Sequence, residues 1–159
     1  MQESLSSSAK KVQKTLQSLG FEYDVVVLPD TTRSAKDAAS AIGCSVDQIA
    51  KSIIFKAMRS EKPILVIACG SNRVNEKTIS EYLSEPVGKA DADFVRENTG
   101  FSIGGVPPIG HSQNIHTFLD EDLLKYEEIW AAAGTPHAVF RLLPADLVKM
   151  TNAKVVSIT

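Results

Sequence analysis

The chain has 159 residues, 43% hydrophobic and 23% charged, with a formal net charge of −2. This is an ordinary globular composition, long enough to bury about 70% of its unfolded surface without staples. It excludes a disulfide-built miniprotein, because Cys44 and Cys69 are the only cysteines, and a membrane span, because no run of about 18 apolar residues occurs. A cytoplasmic location with both thiols reduced is expected. Neither cysteine has a CxxC or Cys/His neighbourhood, so no metal and no cofactor is expected. Slight acidity disfavours broad binding to DNA or any other nucleic acid. The charge is uneven, however: residues 1–89 hold 12 Lys and Arg against 10 Asp and Glu, and residues 90–159 hold 5 against 9. That bias is either scatter or a local phosphate-binding face.

Residues 1–8, MQESLSSS, read as a flexible N-terminus. Leu5, Val12, Leu16 and Leu19 then recur near helical spacing, and Gly20 stops that helix. YDVVVLP predicts a strand ended by Pro29. Ser34 caps a short helix that Gly43 closes, and SVDQIA predicts a second one capped by Ser45. KSIIFKAM and KPILVIACG, joined by a charged connector, predict a core β-hairpin. NEKTISEYLS and DADFVRENTG predict helices capped by Asn75 and Asp91, the second closed by Gly100. HTFLD, EEIWAAA and HAVFRLL are strand candidates, PADLVKM opens a helix with Pro144 in its first turn, and KVVSI is a terminal strand. Trp130, in the second of these runs, is expected in the core. Elements interleave without βαβ regularity, which predicts one α+β domain over residues 1–159 around a mixed, curved sheet flanked by helices.

Two features carry chemistry. The loop TGFSIGGVPPIGH joins glycines, which permit positive φ and close approach, to two prolines, which stiffen the backbone and remove donors. Its remaining N–H groups suit either a rigid turn or a cradle for a carbonyl oxygen or oxyanion. It has neither dinucleotide-binding nor P-loop spacing. Lys51, at the head of an apolar strand, is either a solvated edge residue or an ammonium held at a cleft mouth. His111, His116 and His137 lie near the Gly/Pro loops, and two of them could approach one pocket. No GxSxG elbow, HExxH motif or carboxylate pair supports a triad hydrolase, a simple esterase or a zinc protease.

IAKSIIFKA, TGFSIGGVPPIGH and WAAAGTPHAVFRLLPADL, in this order, resemble the YbaK/EbsC family, which is also the editing domain inserted in bacterial prolyl-tRNA synthetases. The resemblance runs from about residue 20 to the end. It implies a barrel-like mixed sheet and a trans-editing deacylase that hydrolyses the ester of a mischarged tRNA. The alternative is a non-catalytic module of the same fold that binds a tRNA end or a synthetase. Implied partners are the acceptor end of mischarged tRNA and prolyl-tRNA synthetase, without a membrane. On the resemblance Lys51 matches the family's essential lysine, and Gly104, Gly105 and Pro108 belong to its Gly-x-x-x-Pro loop. Gly134, Thr135 and His137 match the late loop that shapes the amino-acid pocket, Asn72 and Arg73 are tRNA contacts, and Thr31, Thr32 and Ser34 line the pocket. His111 supports the glycine loop and is grouped with the substrate-binding residues. The chain lacks the tyrosine and the acidic residue of the cysteine-specific branch, and its LPDTTRSA segment resembles branches that edit alanine or similarly small residues, which implies a small, alanine-like amino acid on tRNA(Pro). With no evident nucleophile, the resemblance implies hydrolysis assisted by a ribose hydroxyl, with no covalent enzyme intermediate.

Overall fold

A computed structural model describes residues 5–29 and 34–159. Thr31 and Thr32 lie outside the described residues, so their expected place in the pocket has no structural counterpart here. Caps written in the sequence set most helix boundaries. Helix α1, Ser7–Ser18, begins where the Ser6 hydroxyl accepts the Ala9 N–H at 3.2 Å, and it buries Ala9, Val12 and Leu16. Helix α2, Ala35–Ile42, is capped by Ser34 and closed by Gly43 at φ +85°. Helices α3, Glu76–Leu83, and α4, Ala92–Thr99, start at Asn75 and Asp91, and α5, Pro144–Thr151, carries its proline in the first turn.

The strands are β1 Val26–Val27, β2 Ile49–Ala57, β3 Pro63–Cys69, β4 Val87–Lys89, β5 His116–Asp120, β6 Ile129–Ala132, β7 Ala138–Leu142 and β8 Lys154–Val156. They form one mixed sheet in the order β1-β7-β6-β2-β3-β5-β8, with β4 also paired to β2. Among the described residues this mixed sheet is not closed: β1 and β8 are its two ends. The hairpin β2–β3 is present, from Ala50 opposite Cys69 to Lys56 opposite Pro63. β6 joins β2 in parallel, and β5 joins β3 in parallel.

Every residue of β3 is buried, as its unbroken apolar run demands. Leu65, Ile67 and Cys69 face one core with α1 and α5, while Ile64, Val66 and Ala68 face a second core with α3. Three expectations are revised. The first strand shrinks to two residues, which pair with Val139 and Ala138. SVDQIA is a single 3₁₀ turn, Val46–Gln48, because Gln48 folds back to accept the Ser45 N–H at 3.1 Å and β2 starts at once. β4 was not foreseen.

One consequence of the pairing positions the site. On the edge of β2 away from β3, β6 pairs only Ile49 and Ala50, and β4 pairs only Phe55 to Ala57. Between them, Lys51 to Ile54 hydrogen-bond to β3 alone, and the sheet is split at Lys51.

Candidate active site

A cleft of about 720 Å³ opens at this split. Residues Ala50 to Phe55 form its floor, and Trp130 to Ala132 of β6 form one bank with Ala35 and Ala38 of α2. Ile103, Gly104 and Val106 of the glycine loop also line it. Trp130 is half-buried: it packs against the Ala38, Ala39 and Ile49 cluster, as expected of a core residue, and also lines this cleft. Among the described lining residues Lys36, Lys51, Arg73 and Lys89 are cationic, and Glu76 is the only carboxylate. An apolar trough with a cationic rim suits a ligand that is part apolar and part anionic.

Lys51 is the half-buried member of the four cations, the other three being exposed. Its Nζ donates to the Gly70 carbonyl at 3.4 Å, a long bond that leaves the ammonium available. Burial holds its pKa below the usual lysine value, and the nearby Cys69 and Asp120 oppose that shift. Gly70 is a glycine of necessity: a Cβ there would lie 2.1 Å from the Val46 carbonyl oxygen. Asp120, 1% exposed, fixes the turn that carries it. Its Oδ2 accepts the Cys69 N–H at 3.0 Å and the Asn72 amide at 2.8 Å, and its Oδ1 accepts the Asp122 N–H at 3.0 Å.

Gly104 stands at φ +96°, a backbone state that favours glycine. The Gly104 and Val106 N–H groups make no hydrogen bond among the described residues. Gly105, by contrast, is buried in the loop's support. Its N–H donates to Ser102 O at 3.3 Å, its carbonyl accepts the Gly134 N–H at 2.9 Å, and a Cβ would sit 2.7 Å from Thr135 backbone atoms. Gly134, at φ +95°, lies so close to α1 that its Cβ would be 2.9 Å from Ser8 O. Pro108 is buried. Thr135 accepts the His137 and Ala138 N–H groups at 3.2 and 3.1 Å, while the His137 carbonyl accepts from Leu28 at 2.8 Å.

The structure therefore brings Lys51, Gly104, Ser34 and Arg73 to the cleft. Gly105, Pro108, Gly134 and Thr135 lie behind it, shaping the loop, and His137 is exposed. Asn72 is engaged by Asp120 and, at 2.7 Å, by Asp122. The sequence reading missed three residues. The Ser52 hydroxyl is buried in the cleft floor without a partner among the described residues, an orphan that a ligand would satisfy. Trp130 and Asp120 are the others. Asp120 ends an apolar run before EDLLK, so it reads as a helix cap, which it is, and its second oxygen leaves no sequence signal.

His111 stands outside the cleft lining, its Nε2 2.7 Å from the Pro107 carbonyl. A carbonyl only accepts, so Nε2 carries the proton. Burial lowers the His111 pKa, Lys11 adds to the lowering, and the Pro107 bond opposes it. The unfolded chain then binds more protons than the native one just below the ordinary histidine value, so stability is full above that value and falls as the pH drops. Wild type is expected to lose Tm between pH ~7.5 and ~5.5 more steeply than His111→Gln, whose amide keeps a donor without titrating, as scanning calorimetry would show.

The aminoacyl-tRNA editing domain model matches residues 29–150. The chain belongs to the aminoacyl-tRNA editing domain family. A solved structure described as a candidate trans-editing enzyme for prolyl tRNA synthetase superposes with a TM-score of 0.93 at 44% identity, covering 98% of this chain and 99% of that one. YwhH of Bacillus subtilis, an uncharacterized protein, is 28% identical over 148 residues, 93% of this chain and 94% of its own. EbsC of Enterococcus faecalis, named as a candidate Cys-tRNA(Pro)/Cys-tRNA(Cys) deacylase, is 24% identical over 127 residues, 79% of this chain and 77% of its own. Among the described residues no helix is long and apolar enough to cross a membrane.

Proposed function

We propose that this editing domain is a trans-acting deacylase that hydrolyses the ester joining a small, wrongly attached amino acid to the terminal ribose of tRNA(Pro). The observation that carries the reading is the cleft itself. Its lining includes half-buried Lys51 together with Gly104 and Val106, whose N–H groups are unengaged among the described residues, beside an apolar trough with a cationic rim. The rim cations suit the terminal phosphates. The trough by α2, with Ala35, Ala38 and Ile42, suits a short alkyl side chain and offers little to a polar one.

Attack of water on the ester carbonyl places negative charge on its oxygen, and preorganised donors that meet that charge lower the barrier. Lys51 and the loop amides are the donors available. Water is the nucleophile by elimination. The Cys69 thiol is buried and bonded to the Asp47 carbonyl at 3.1 Å, and burial pushes the Cys44 thiol pKa up. The free hydroxyl beside the ester on the same ribose is placed to order that water, and binding supplies the orientation. Editing of this kind is needed because a synthetase pocket rejects a smaller amino acid by only about 1–3 kcal/mol. The test is deacylation of tRNA(Pro) charged with alanine, cysteine, serine, 2-aminobutyrate or proline. Preferential release of alanine is expected. Binding of tRNA(Pro) with no release from any of the five would overturn the reading in favour of a non-catalytic tRNA-binding module.

A further inference from the structure

Outside the cleft, three lysines fall on one face of α1. Opposite its buried face this helix exposes Lys10, Lys11 and Lys14, with exposed Ser7 and Ser18 and half-buried Thr15 among them. It contains no acidic residue, in a chain whose net charge is −2. None of the ion pairs among the described residues involves it. These six side chains line a shallow groove of about 520 Å³.

The groove adjoins the glycine loop. Lys11 Nζ sits 4.8 Å from the Phe101 ring centroid and 3.1 Å from where a Cβ on Gly100 would stand. A Cβ on Gly110 would lie 3.3 Å from Thr15 Oγ1. The same loop reaches the cleft through Ile103, Gly104 and Val106. It thus has α1 on one flank and the cleft on the other, and a polymer whose end rests at Gly104 meets α1 on crossing it.

We propose that the lysine face of α1 docks the phosphodiester backbone of RNA, namely the acceptor strand of the substrate whose 3′ end occupies the cleft. The proposal rests on the editing reading above. Lysines one helical turn apart act as point charges toward phosphate oxygens, and the intervening hydroxyls add donors, so the contact grips RNA without reading its sequence. Its thermodynamic signature is counterion release, which makes affinity fall with salt.

The test reverses two exposed charges in Lys10→Glu/Lys14→Glu and leaves Lys11 on its ring. Binding of a tRNA(Pro) transcript is measured over a salt series, beside steady-state deacylation. Loss of two phosphate contacts is expected to flatten the slope of log K against log salt by about 1.4–1.8. The deacylation defect is expected in KM rather than kcat, at roughly tenfold or more, and to vanish on an aminoacyl-adenosine substrate. The neutral pair Lys10→Gln/Lys14→Gln gives the same slope change should the acidic pair fold poorly. An unchanged salt slope and KM in a folded variant would overturn the surface and leave the editing reading standing. A wild type whose tRNA binding depends on these lysines but which releases no amino acid would do the reverse.

Discussion

Lys51→Ala is expected to keep the fold and to lose deacylation by a factor on the order of 10²–10³ in kcat, the usual cost of removing one preorganised donor to a developing oxyanion. Little else depends on this side chain. Its one hydrogen bond among the described residues is the 3.4 Å contact to Gly70, and burial already disfavours its charge, so the alanine variant is expected to melt no lower than wild type. Lys51→Arg is not expected to restore the rate, since a planar fork cannot replace a compact ammonium beside Gly70 and the β2 edge. The pH dependence has a definite sign. Burial holds the Lys51 pKa below its ordinary value of 10.5, so the ammonium is lost earlier than in a free lysine as pH rises. After subtraction of spontaneous ester hydrolysis, the wild-type rate is expected to bend downward on that alkaline side, and the Lys51→Ala residual to lack the bend. A variant with near-wild-type kcat would remove Lys51 from the chemistry.

Much of the fold was legible because local chemistry decided it. Ser34 with Gly43, Asn75, Asp91 with Gly100, and Pro144 each set a helix end within the reach of a few residues. The unbroken run in β3 announced burial on both faces. What was not legible depends on distant partners. β4 has three residues around Gly88 and exists because β2 offers Phe55 to Ala57 as an edge. The parallel joins of β6 to β2 and β5 to β3 have no local signature. The cleft is therefore also invisible in sequence, being the interval between two strands that meet β2 from far along the chain. Lys51 and Gly104 stood out as oddities and do face that interval. The other loop oddities arise from the loop's own packing: Gly105 against Thr135, Gly134 against Ser8, and His111 against Pro107.

Asp120→Asn is expected to damage stability and chemistry together, for separable reasons. In the wild type three donors converge on one carboxylate: two on Oδ2, from Cys69 and Asn72, and one on Oδ1, from Asp122. An asparagine offers one oxygen and one NH₂, so the NH₂ must confront at least one of these buried donors. A buried polar group left unsatisfied costs about 1–3 kcal/mol, a drop that urea titration resolves. The turn so released carries Gly70, whose carbonyl is the partner of Lys51. The charge acts on the same lysine. Asp120 supports the ammonium, while Lys36, Arg73 and Lys89 share its cleft and Glu76 is the lone acid among the described lining residues. Removing the Asp120 charge lowers the Lys51 pKa further, so the alkaline bend of the rate profile is expected to move to lower pH. NMR of ¹³C-methylated lysines reads the same shift at Lys51 whether or not the protein turns over. A destabilised variant with an unmoved bend and an unmoved Lys51 titration would confine Asp120 to the fold. A moved titration ties the buried carboxylate of β5 to the ammonium of β2 across the intervening β3.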